Sequence, residues 1–189
     1  MKATPDPADA AAFSATSEFL ARFAASTDRQ QSRLVHKAPL PAIHVAALRH
    51  PDPFTRRWCL FYLDHHANDA SMAVFALALK DPVDFVRNMA LHSLACESCK
   101  SEELCVADVV PGLVDVVTSD PSPDLRIKAI PLLMRLSADD PRARAALERA
   151  ATQDPDEIVR HAAAEGLAGR MVWPRKRYER RQRRHARTA

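Results

Sequence analysis

The sequence predicts an all-α fold: a solenoid of about four helical hairpins behind an N-terminal helical cap. Three observations predict it. Glycine is scarce, with only Gly112, Gly166 and Gly169 in 189 residues, too few for the tight turns of a β-rich chain. Proline is plentiful and recurs at regular places, as helix starts do. Most tellingly, one pattern repeats in HPDPFTRRWCLFYL at 50–63, DPVDFVRNMALHSL at 81–94, DPSPDLRIKAIPLL at 120–133 and DPDEIVRHAAAEGL at 154–167. The length suits one domain with a proper core.

Residues 1–38 read as the cap and its linker. An Ala-rich stretch places Phe13, Leu20 and Phe23 on one helical face, fit to cover the first repeat, and 26–38 join it on. Residues 39–170 hold the repeats, whose starts lie 31, 39 and 34 residues apart. Asp-Pro is expected to start each second helix, because Pro loses nothing in a first turn and Asp can cap exposed amides. The following columns hold Thr55, Val86, Leu125 and Val159; Arg56, Arg87, Arg126 and Arg160; Cys59, Ala90, Ala129 and Ala163; and Leu63, Leu94, Leu133 and Leu167. Cys59 is thereby a packing residue in the small column. Seven residues before each start, Ile43, Val74, Leu113 or Leu147 marks a preceding apolar-periodic helix. One such hairpin cannot bury its face alone; stacked hairpins can. Pro111 and Pro131 fall within helical patterns and are expected to delay or kink those helices. Residues 171–189 read as a basic, disordered tail.

The columns Asp-Pro-x-x-x-(Val/Leu)-Arg-x-x-Ala-x-x-x-Leu resemble HEAT repeats of the short prokaryotic kind over roughly 40–168. That resemblance implies a right-handed α-solenoid, polar ladders between the Asp and Arg columns, and a concave second-helix surface that grips a protein partner. His50 stands in the Asp column of the first repeat, so the ladder is expected to start imperfectly. On the implied surface fall Arg57, Phe61, Asn88, Arg135, His161 and Glu165. Phe beside Arg and His is the composition of an interaction patch, although Phe61 could equally pack under the N-terminal segment. Some proteins of this fold are DNA glycosylases acting on alkylated bases, or bilin lyases. The glycosylases carry a Trp and an Asp one helical turn apart, whereas here Trp58 is followed by Tyr62 and Trp173 by Arg177. No Ser/His/Asp arrangement, phosphate-cradling Gly-rich loop or paired-carboxylate site is evident. The leading function is a non-catalytic scaffold for another protein, and a glycosylase acting on alkylated bases, as the resemblance implies, stands as a second alternative.

HSLACESCKSEELC, residues 92–105, gathers three of the four cysteines. His92 and Cys96 share a helical face about 200° from the core stripe. In repeat register Cys96 corresponds to His65, on a neighbouring helix roughly 8–10 Å away between axes. The 39-residue spacing puts Cys99 and Cys105 in an insertion able to fold back. His92, Cys96, Cys99 and Cys105, with His65 or His66, thus offer a tetrahedral N/S set for a structural zinc. An iron–sulfur cluster would prefer all-Cys ligation, and a reactive Cys-x-x-Cys thiol would sit at a helix N-terminus, not near the C-terminus as Cys96 does. The alternative is free thiols and solvated histidines on an exposed ridge.

Charge is uneven. Residues 171–189 carry eight basic side chains against Glu179, a net of +7, which leaves −4 for the other 170 residues of a chain at +3. Arg175, Lys176, Arg177, Arg180, Arg181, Arg183 and Arg184 attract phosphate, and Tyr178 can stack on bases. Nucleic-acid binding through this tail is therefore an alternative function, against a merely solvated polycation. No stretch approaches a bilayer-spanning length and no secretory signal is evident. A cytoplasmic location is expected, where thiols stay reduced.

Overall fold

The computed structural model describes residues 6–35, 37–66, 68–95, 109–136 and 140–170. Among them are ten helices and no strand: α1 (Pro7–Ala24), α2 (Asp28–Val35), α3 (Leu40–Arg49), α4 (Pro53–His65), α5 (Asp69–Ala78), α6 (Asp84–Ala95), α7 (Val110–Ser119), α8 (Pro123–Leu136), α9 (Pro141–Gln153) and α10 (Glu157–Leu167). The fold class is all-α, of the solenoid type. After α1 and α2 the helices follow one another as the four expected hairpins. The chain divides into two compact units, residues 1–93 and 94–189.

In the first unit α1 lies against α3 and closes over α4. Asp6 caps α1 through the Ala8 amide, with Pro7 in the first turn. Phe13 meets the His50 ring edge-on, and Phe19 and Phe23 both meet Tyr62 edge-on. Phe19, which the sequence reading did not single out, is more deeply buried than Leu20 or Phe23. The stretch read only as a linker contains α2. Beneath the cap, Ile43, Leu60, Leu63 and Phe75 are wholly buried.

In the second unit α7 packs on α8, α9 on α10, and α7 and α8 on α9 and α10. Leu113, Ile130, Leu133 and Val159 form its centre. Pro111 sits in the first turn of α7, so it sets that helix's start. Pro131 lies inside α8, which continues past it. A Cβ on Gly166 would run into the Met134 thioether, which shows how closely α10 approaches α8.

The column pairs Asp81–Pro82, Asp120–Pro121 and Asp154–Pro155 do not cap the helices that follow them, whereas the offset pair Asp52–Pro53 does cap α4. Each second helix begins three residues after its column Asp or His, and the caps are Asp52, which accepts from the Phe54 and Thr55 amides, and Asp156, which accepts from those of Ile158 and Val159. The column Asp instead closes its own turn: Asp81, Asp120 and Asp154 accept from the amides of Val83, Ser122 and Asp156 at 2.8–2.9 Å. A carboxylate two residues ahead of an amide is the geometry of an Asx turn. That leaves the carboxylate's outer edge open to a neighbouring repeat. Arg56 takes Asp81 bidentately, Nε to Oδ2 at 2.6 Å and Nη2 to Oδ1 at 2.9 Å. Arg126 takes Asp154 the same way, at 2.8 and 2.9 Å. Each guanidinium is anchored from behind, Arg56 Nη1 donating to the His50 carbonyl and Arg126 Nη1 to that of Asp120, both at 2.7 Å. His50, in the Asp column, keeps the turn: its Nδ1 accepts from the Asp52 amide at 3.1 Å. Its ring meets the cap rather than an arginine.

Candidate interaction surface

Helix α4 has two faces. Arg56, Cys59, Leu60 and Leu63 point into the first unit and are buried. On the other side Phe54, Trp58 and Phe61 stand 64%, 55% and 42% exposed, with Arg57 and His65 exposed beside them. Residues at i, i+4, i+7 and i+11 share one stripe of a helix, so Phe54, Trp58, Phe61 and His65 form a row. Trp58 and Phe61 are edge-on at 5.5 Å, and the Phe61 and His65 rings lie 4.6 Å apart. His65 Nδ1 lies 3.0 Å from the Phe61 carbonyl, which holds its ring along the stripe. From α6, Phe85 stacks on Phe54 at 5.1 Å. The rings of the row thus contact one another along α4 and, through Phe85, reach α6. It carries aromatic surface and cationic or neutral polar groups, while the carboxylate of Asp64 on the same helix is wholly buried.

Of the residues read from the sequence as partner-binding, Arg57 and Phe61 belong to this row. Phe61 does not pack under the N-terminal segment; Tyr62, its neighbour, does that. Asn88 is half-buried on α6. In the second unit Arg135 and His161 are exposed, and Glu165 is ion-paired with Arg170 at 2.7 Å. Phe54 and Trp58, both more exposed than Phe61, were missed. Their signal was available: apolar residues at i, i+4 and i+7 on the side of the helix away from the Cys59–Leu63 stripe.

The candidate metal ligands are only partly placed. His92 is exposed, with Nε2 3.6 Å from Oδ2 of the buried Asp64. His66 is half-buried against Tyr62 and Phe23; burial, then the charge of His65, lowers its pKa. His65 lies in the aromatic row. Cys96, Cys99 and Cys105 fall outside the described residues, as does the tail 171–189 with Arg175, Lys176, Arg177, Tyr178, Arg180, Arg181, Arg183 and Arg184. Cys59 is wholly buried and its thiol is pushed up to about 12 by burial, as a packing residue's should be.

Among the described residues no helix is long and apolar enough to cross a membrane. A family model of HEAT repeats matches residues 94–168. No curated protein and no solved structure matches the chain.

Proposed function

The chain is a HEAT-repeat protein, and from that premise we propose that it is a non-catalytic scaffold holding another protein against the second-helix surface of its repeats. What carries the reading is the exposed row Phe54, Trp58 and Phe61 on α4, with Arg57 at its side. Aromatic residues and arginine are the anchors that dominate protein interfaces, and a contiguous exposed apolar patch signals interaction. A photoreactive phenylalanine at position 61, irradiated in cells, should give a discrete protein adduct that Trp58→Ala suppresses. The same probe at Ala73, exposed on α5, supplies the background. Equal adducts at both positions would remove the proposal.

A structural zinc is the second reading. It is supported by His92 facing the Asp64 carboxylate, since a metal-bound imidazole commonly gives its outer nitrogen to a carboxylate. Cysteine thiolates from 96–105 would complete the ligand set. Elemental analysis of tag-free protein tests it: a tight site gives close to one equivalent, and less than about half excludes it. Nucleic-acid binding through the tail rests on its net +7. It requires affinity for DNA or RNA that falls steeply with salt and disappears with residues 171–189.

A further inference from the structure

In register, helix α10 presents a face that is buried in every earlier repeat. The columns Arg56–Leu60–Leu63, Arg87–Leu91–Leu94 and Arg126–Ile130–Leu133 are buried throughout. Their counterparts on α10 are Arg160, half-buried, Ala164, exposed, and Leu167, 38% exposed where Leu63, Leu94 and Leu133 are 0–7%. Residues at i, i+4 and i+7 lie on one side of the helix, so these three form a single open strip.

Arg160 is only half engaged. Its Nη1 donates to the carbonyls of Asp154 at 2.7 Å and Pro155 at 3.1 Å. This is the rear anchor that Arg56 and Arg126 use. Those two then turn Nε and Nη2 onto the Asp of the following Asp-Pro turn. Among the described residues, Nε and Nη2 of Arg160 meet no acceptor. Glu165, on the same helix, is taken by Arg170. A planar guanidinium fork held from behind is matched by a carboxylate, which it binds in two parallel bonds.

We propose that the Arg160–Leu167 strip docks a helical hairpin of another protein whose leading turn carries an Asp. The partner's carboxylate takes the open fork of Arg160, and its apolar helix face lies on Ala164 and Leu167. The occupant's chemistry follows from charge complementarity and from the rungs that Arg56 and Arg126 build inside this chain. A second copy offers no such turn at the start of its repeats, where His50 fills the Asp column against Phe13. The segment 171–189 has the wrong sign for Arg160, with eight basic side chains against one carboxylate. Ala164, in a column that is otherwise Leu or Ile, leaves the strip less apolar than an internal junction, which suits a reversible partner over a permanent one. This docking is independent of the aromatic row on α4.

The test uses the full chain and a fluorescent peptide with the chain's own 141–170 sequence, a hairpin that contains the Asp154–Pro155 turn. Saturable binding is expected, weakened roughly tenfold or more by Asp154→Asn in the peptide and by Arg160→Lys in the full chain. The Arg160→Lys protein should melt at the parent temperature. The peptide substitution keeps the test valid if the protein variant folds poorly. No saturation up to about 1 mM, or binding indifferent to both substitutions, overturns the proposal. A dimer of the intact chain that dissociates on Arg160→Lys assigns the strip to a second copy. Binding that appears only after residues 171–189 are removed assigns it to the tail. Either result overturns the proposal too.

Discussion

The Arg126 side chain is 8% exposed and that of Asp154 4%, so each charge is tolerable only because the other is there. Removing one partner of such a pair leaves a buried charge without compensation, which costs about 3–5 kcal/mol. Arg126→Ala should therefore lower stability by about that much in denaturant unfolding, and Arg126→Lys, lacking the fork, should recover only part of it. Burial alone pushes the Asp154 carboxyl up. The Arg126 hydrogen bonds, helped by the Asp156 amide, more than reverse this and hold it below its ordinary 3.8. An acid depressed by folding stabilises the folded state above its unfolded pKa, and loses that contribution as pH falls through the folded value. The rung is thus intact at neutral pH and fails only in strong acid. Cys59 makes the opposite case, a group kept neutral by burial. A thiol pushed up to about 12 carries almost no thiolate at pH 8, and the thiolate is the reactive form. Mass mapping after brief alkylation should find Cys59 unmodified in the native chain and modified once it is unfolded; prompt native labelling would contradict its place in the core.

Among elements, the α1 cap is where chemistry and packing meet. Phe19 and Phe23 close on Tyr62, and Phe23 also meets His66. Burial, then the charge of His65, lowers the His66 pKa, and burial lowers that of His44. Both histidines therefore bind a proton more readily in the unfolded chain. Stability is complete above the ordinary value of 6.5, declines as pH falls below it, and levels off beneath the folded values. Thermal midpoints should drop between pH 7.5 and 5.5, and His66→Phe should remove part of that drop. A variant melting with the parent's full pH dependence would mean that His66 does not contribute. This element also shows what sequence could and could not convey. The 3.6-residue apolar period located α1 and every repeat, because core burial writes itself into spacing. It could not rank Phe19 above Leu20, since both lie near the same face and tertiary contact decides between them. It also placed the Asp-Pro carboxylates at helix caps. Asp52 and Asp156 take that role in α4 and α10, while the column residues Asp81 and Asp154 close a turn and receive an arginine.

At the scale of the whole molecule, legibility follows how local the cause is. The Arg column was visible as a repeated letter, while its pairing with the next Asp needed the family resemblance or the coordinates. The row Phe54, Trp58 and Phe61 was the hardest to see, because an apolar residue on an amphipathic helix is ordinarily read as core, and only the register against Cys59 and Leu63 shows it to be outside. Each of the two compact units has its own apolar centre and its own rung, Arg56–Asp81 in one and Arg126–Asp154 in the other. Repeat proteins draw stability from each repeat and its immediate neighbours, and local opening is reported by amide exchange in cooperative blocks. Arg126→Ala should therefore raise exchange most in 109–136 and 140–170, and Arg56→Ala most in 37–66 and 68–93. Native-state exchange followed by mass spectrometry distinguishes this from a single cooperative block, in which either substitution would accelerate exchange alike along the chain. The outcome expected is a local footprint for each broken rung, largest in the helices that its Arg and Asp join.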